Sequence, residues 1–209
     1  LCEDHTSLAR ASIRRVTKIM SPSDKEVQDI AAVINESQRP FLYVGGGVVI
    51  DNACQELKIL AERRNIPVAT SLMGKSAFPS KHPLCCGMIG MHGTKAANMG
   101  ANKSDLVIAI GARFSDRVIS DSTKFARNSK ILHIDIDPAE INKNIATHYS
   151  LVGSVKELLT RLLPLIEERA ESGWNQEIAQ WKQHIPAMYS KKTSLHPKFA
   201  FEYIHEKLG

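Results

Sequence analysis

The chain has 209 residues, 43% hydrophobic and 23% charged, with a formal net charge of +5. That length suits one core of about 150 residues with flanking arms, and no apolar run approaches what a helical membrane span needs. The basic surplus is scattered over helical segments without interleaved aromatics, so it reads as solvated helix faces rather than a nucleic-acid platform, while still suiting a phosphate-bearing ligand.

Four cysteines form no metal or disulfide pattern, since Cys2 and Cys54 are isolated and Cys85-Cys86 lacks a spacer; a reducing compartment is expected. The chain begins at Leu1 rather than Met and carries no signal-peptide succession, so it is expected to be cut from something longer. Residues 1–22 read as an entering linker. Ser23-x-x-Glu26 is a capping box, and Val27, Ile30, Ala31 and Ile34 follow at helical spacing. The continuous apolar run Phe41-Leu42-Tyr43-Val44 suits a strand buried on both faces and runs directly into Gly45-Gly46-Gly47. Asp51 is a candidate cap for a helix carrying Cys54, Leu57 and Ala61, and Val68-Ala69-Thr70 resumes extended chain. Further strands are predicted at 106–110, 131–135 and 149–152. Helices are predicted from Thr94, from Asp137-Pro138-x-Glu140, and from Ser154-x-x-Glu157. Short strands alternating with amphipathic helices predict an α/β fold, a doubly wound, Rossmann-like, six-stranded parallel sheet over residues 23–170. Residues 171–209 read as an exit linker, containing a helix with Trp174, Ile178 and Trp181, followed by a first helix of another domain after Pro197.

Four clusters carry candidate chemistry. Gly45-Gly46-Gly47 matches only half of a dinucleotide fingerprint, because Ile50 replaces its last glycine and the second strand does not end in an acid. An ordinary NAD dehydrogenase is disfavoured, and phosphate approach or a plain tight turn remain open. In Gly87 to Thr94, a flat ring could lie against Met88 and Met91 or these could be core; His92 is more often positional than basic. Gly111 to Val118 follows a buried strand, where Arg113 and Arg117 could hold a pyrophosphate or pair with Asp116. Asp135 could accept from ribose hydroxyls, and Asp137 could do so or act only as a cap. A Walker loop, a nucleophile elbow, His/Cys metal spacing and the dipeptide Gly-Asp are all missing, so no residue is assigned as catalytic or as a metal ligand.

Taken in order, these segments resemble the central domain of thiamine-diphosphate-dependent enzymes, most closely acetolactate (acetohydroxyacid) synthase catalytic subunits. The likeness runs over residues 25–167, and Gly-Met-His-Gly-Thr, Arg-Phe-x-Asp-Arg-Val and His-Ile-Asp-Ile-Asp carry it. The resemblance implies FAD bound in an extended form, in a structural more than a redox role. It implies contacts from Gly45, Gly46 and Gly47, from Ser71, Leu72 and Met73, and from Met88, Gly90, Met91 and His92. It adds Gly111, Arg113, Arg117 and Val118, then Asp135, Ile136, Glu140, Gly153 and Val155. Thiamine diphosphate and Mg are expected outside this chain, in domains flanking it, so the fragment is expected to be inactive and to purify without FAD. Other domains of the same subunit, a homo-oligomer and a regulatory small subunit are the implied partners, in branched-chain amino-acid synthesis. The implied compartment is the cytoplasm in a bacterium and an organelle matrix in a eukaryote. Three departures, at Ser115-Asp116, Ile119-Ser120 and Gly153-Ser154, are expected to weaken FAD binding.

Overall fold

A computed structural model describes residues 21–119, 125–183 and 197–208. All but the last two residues of the expected entering linker, and Ser120 among the family departures, lie outside them. The first helix, α1 (Asp24–Glu36), starts where the capping box predicts: Glu26 Oε2 accepts from the Ser23 N–H at 2.8 Å, and Ser23 Oγ accepts from the Glu26 N–H. Its stripe of Val27, Ile30, Ala31 and Ile34 is buried.

Strand β1 (Pro40–Val44) is buried at every position because the sheet is covered on both sides. Leu42 and Val44 face one core, and Phe41 and Tyr43 face the other, as the two-residue side-chain period requires. A single turn, α2 (Gly46–Ile50), leads to α3 (Cys54–Arg64), which ends on Asn65 at a left-handed φ of 50°. Then follow β2 (Val68–Thr70), β3 (Cys85–Met88), α4 (Lys95–Lys103), β4 (Leu106–Ile110), a turn α5 (Asp116–Ile119), β5 (Lys130–Asp135) and β6 (Tyr149–Val152). Helices α6 (Val155–Leu162), α7 (Gly173–Lys182) and α8 (Pro197–Leu208) complete the described chain.

The sheet is six-stranded in the order β3-β2-β1-β4-β5-β6, and every pairing is parallel. Helices α1, α3 and α6 cover the face of Leu42, Ile108 and Ile134; α4 and α7 cover the face of Phe41, Val107 and Ile131. The doubly wound α/β expectation therefore holds, including six strands. Gly100 lets α4 lie close on β1, since a Cβ there would come within 2.2 Å of the fully buried Phe41 ring.

Three local expectations need correcting, and the expected sixth strand finds its place. The segment from Pro138 makes only one 3-10 turn, Pro138–Glu140, because Asn142 turns left-handed (φ 59°) and its side chain closes the next loop by accepting from the Thr147 N–H and hydroxyl. Asp51 does not cap α3. It ends α2, and its carboxylate accepts from Ser154 Oγ at 2.8 Å and the Lys156 N–H at 2.9 Å, so it serves the start of α6 from across the fold. The sixth strand is Cys85–Met88, an edge strand whose half-buried Cys-Cys-Gly-Met pattern carries no strand signature. Finally, α7 is no linker: Trp174 and Ile178 are buried against the α4 side, and the Trp174 indole donates to the Pro40 carbonyl at 3.0 Å.

Candidate functional site

In an open parallel sheet the carboxyl ends of the strands collect the loops that bind ligands, and the crevice lies where the strand order reverses. Here the reversal falls between β1 and β4, which pair along their whole length. All of the predicted site residues lie at or just after the six strand ends: Met88, the last residue of β3, to His92, Ser71 to Met73 after β2, Gly45 to Gly47 after β1, Gly111 to Val118 after β4, Asp135, the last residue of β5, to Glu140, and Gly153 and Val155 after β6. Inter-strand spacings of about 4.8 Å make that row about 24 Å long. Three concavities of about 350 to 390 Å³ elsewhere on the surface include none of these residues.

The glycines serve loop against loop. A Cβ on Gly45 would lie 2.0 Å from the Gly111 carbonyl oxygen, and one on Gly47 would lie 2.7 Å from Gly111 Cα. The Gly45 N–H donates to Ile110 O at 3.0 Å and the Gly47 N–H to Gly111 O at 2.9 Å, so the β1 and β4 loops close on each other at the switch point. Gly74 packs on the end of β1 in the same way, 2.5 Å from Val44 O for a Cβ, after a turn in which Ser71 Oγ accepts the Gly74 N–H. The loop after β3 is joined to the loop after β4: the Met91 N–H donates to Arg117 O at 3.0 Å, and a Cβ on Gly90 would come within 2.5 Å of that same oxygen.

Above this backbone floor stand exposed apolar side chains, Leu72 (70%), Met73 (78%), Met91 (65%) and Ile136 (54%). Large hydrophobics exposed together along one edge mark a contact surface. Met88 is half-buried and His92 is exposed. Arg113 stands three-quarters exposed, its Nε 3.5 Å from Glu140 Oε1, while Glu140 is nearly buried and also accepts from Lys143 Nζ at 2.8 Å. Among the described residues neither Arg113 nor Arg117 pairs with Asp116; Arg113 instead ties the β4 loop to the turn after β5. Its carbonyl accepts from the hydroxyl of Tyr43, a fully buried side chain whose phenol is pushed upward by desolvation. From the sequence Tyr43 reads only as a core residue of its strand.

The acidic cluster divides by role. Asp137 is the cap of its 3-10 turn, accepting from the Ala139 N–H, whereas Asp135 is buried and accepts from the Asp137 N–H at 2.9 Å. His133 is fully buried beneath it, with Nε2 2.9 Å from Ala112 O; since a carbonyl only accepts, Nε2 carries the proton. Burial pushes this imidazole below its ordinary value, against the opposing pull of Asp135 and the Ala112 carbonyl. Gly153 adopts φ 159° and its N–H donates to Asp135 O. The Val155 side chain is buried in the core, at the first residue of α6. Ser154, one of the family departures, is engaged with Asp51 as described above.

Residues 27–162 match the family model described as "Thiamine pyrophosphate enzyme, central domain". The chain belongs to the thiamine pyrophosphate enzymes. Its similarity to individual members of this family is high. It is 48% identical to the probable acetolactate synthase large subunit of Methanocaldococcus jannaschii over 167 residues, 78% of this chain and 28% of that protein. It is 40% identical over 181 residues to the acetolactate synthase large subunit of Porphyra purpurea, 83% of this chain and 31% of that one. With the corresponding subunit of Corynebacterium glutamicum it shares 39% identity over 200 residues, 91% of this chain and 32% of the relative. The chain thus spans about three-tenths of the length of these thiamine pyrophosphate enzyme subunits. Among its described residues no group of three or more His, Cys, Asp or Glu side chains is arranged to hold a metal, and no helix is long and apolar enough to cross a membrane.

Proposed function

We propose that this chain is the FAD-binding central portion of an acetolactate synthase catalytic subunit. The observation that carries the reading is the unbroken ligand-facing edge: six loops in a row about 24 Å long, apolar at Leu72, Met73, Met91 and Ile136 and cationic at Arg113. A mononucleotide would occupy only part of that length, whereas an extended dinucleotide uses the row from end to end. The residues fit FAD by chemistry. Soft apolar side chains at the β3 and β2 ends suit a flat ring system, Arg113 at the switch point suits a pyrophosphate, and carboxylates at the β5 end suit ribose hydroxyls.

In the parent enzyme, thiamine diphosphate and Mg held outside this chain supply the chemistry that decarboxylates pyruvate and joins the two-carbon unit to a second pyruvate or to 2-ketobutyrate. This chain contributes a scaffold: it binds and orients FAD and carries no catalytic group of that reaction. The parent works in branched-chain amino-acid synthesis, as a homo-oligomer with the other domains of its subunit packed on this one. The 209-residue chain by itself is inactive and purifies colourless, because its open edge holds FAD too weakly to keep it through purification, while FAD added in excess still binds.

Calorimetric titration with FAD and with ADP tests the reading. Binding of FAD tighter than ADP is expected; a preference for ADP, which would favour a relative that uses an adenine nucleotide alone, overturns it. Acetolactate formation by the full-length subunit supplied with thiamine diphosphate, Mg and FAD is the second test, and its failure sinks the assignment.

A further inference from the structure

We infer that Asn98, on α4, is a positioning residue that holds the Gly87–Thr94 loop in its ligand-ready shape before any ligand arrives. The inference rests on the FAD reading for its consequence and on the following geometry for its substance. Asn98 Oδ1 accepts from the Gly90 N–H at 2.9 Å, and Asn98 Nδ2 donates to the Gly90 carbonyl at 3.0 Å, so one amide satisfies both backbone groups of a single residue. Gly90 needs such a partner. It is buried at a φ of 106°, a conformation L side chains rarely adopt; the Ile89 and Met91 N–H groups bond elsewhere, to Thr70 O and Arg117 O, and the Gly90 carbonyl also accepts from the Gly93 N–H, so it is the Gly90 N–H that depends on Asn98. Without Asn98 the Gly90 N–H would be buried without an acceptor.

Asn98 is itself held rigidly. Its N–H donates to Thr94 O within the first turn of α4, and Thr94 caps that turn through the Ala97 N–H while its hydroxyl donates to Cys86 O on β3. Its carbonyl accepts from the Asn102 amide at 3.0 Å, and Asn102 Oδ1 in turn accepts from the Ala126 N–H. Asn98 therefore ties a helix anchored in the core to the one loop that presents both Met91 and His92 at the edge. A loop fixed in this way binds without an ordering penalty; a loop that visits the competent shape one-tenth of the time binds tenfold more weakly.

The test compares the 209-residue chain with its Asn98→Ala and Asn98→Asp variants. Aspartate keeps the acceptor for the Gly90 N–H and loses the donor for its carbonyl, so it is expected to fall between the other two. Amide hydrogen exchange of the ligand-free chain should show Gly90 and Met91 exchanging at least tenfold faster in Asn98→Ala, while amides in β1 and β4 keep their rates. FAD titrated into the same proteins should bind about tenfold more weakly to Asn98→Ala. Unchanged exchange at Gly90 overturns the inference, and so does uniform acceleration across the sheet, which would mark a purely structural role. Equal FAD affinity in the two proteins overturns its functional half. Absence of FAD binding to the unaltered chain would instead count against the FAD reading, with the exchange data still deciding the clamp. If Asn98→Ala does not fold, the same measurements on Asn98→Asp decide.

Discussion

Replacing Gly45 by alanine tests whether the β1 and β4 loops close on one another. The Cβ would sit 2.0 Å from Gly111 O and 2.4 Å from Ala112 Cα, where carbon contacts are comfortable at about 3.5 to 4.0 Å. Both obstacles are backbone, so no side chain can swing away and the loops must part. Parting them strains or breaks the Gly45 N–H to Ile110 O and Gly47 N–H to Gly111 O bonds, each worth about 1 kcal/mol net, and adds overpacking strain of about 1 to 3 kcal/mol. The stiffer unfolded chain returns about 0.4 to 1 kcal/mol. A net loss of about 3 kcal/mol is expected, a fall in Tm of roughly 6 to 12 °C for a domain of this size. The same substitution at Gly173, the first residue of α7, meets no heavy atom within 4 Å and should stabilise by about 0.5 kcal/mol. Urea unfolding followed by circular dichroism measures both, with a constant m-value required for the comparison. A Gly45→Ala protein within 0.5 kcal/mol of the unaltered chain would refute the loop contact.

Three further outcomes follow from the site. His133 is held neutral by burial, with a folded-state value below the ordinary 6.5; the unfolded chain therefore binds more protons in acid, and stability is lost as pH falls below about 6.5 toward the depressed folded value. Exchanging it in His133→Gln should flatten urea stability as pH falls below 6.5, by up to about 1.4 kcal/mol per pH unit, and an unchanged slope would exclude His133 as the source. Ser154→Asp sets a second carboxylate against Asp51 and should lose about 1 to 2 kcal/mol, which Asp51→Asn recovers in a double-mutant cycle; additive effects would mean that the Ser154–Asp51 bond does not couple them. Arg113→Ala should weaken FAD about tenfold or more with the stability of the free chain nearly unchanged, because the guanidinium is mostly exposed; equal FAD affinity by titration would remove Arg113 from the site.

Much of this protein was legible in its residues for identifiable reasons. Phe41 to Val44 and Leu106 to Ile110 read as strands because a sheet covered on both faces needs unbroken apolar runs. Ser23, Thr94 and Ser154 read as helix starts because the local bonds they make involve residues only three apart in the chain. The glycine loops and the arginines after β4 were likewise visible as types of residue in a suggestive order. Their partners were not, because partnership across a sheet depends on which distant segments meet. Gly45 proves to be a glycine on account of Gly111, Arg113 leans on Glu140, Asp51 serves α6 rather than α3, and Asn98 clamps Gly90 across a turn that no local pattern specifies. Cys85 to Met88 becomes a strand only by pairing with β2 at the sheet edge, and Trp174 joins the core only by reaching Pro40. Periodicity and capping act over a few residues, so the alternation of elements is written locally in the chain; the contacts at the carboxyl edge arise only on folding, since they join residues that the strand order alone brings together.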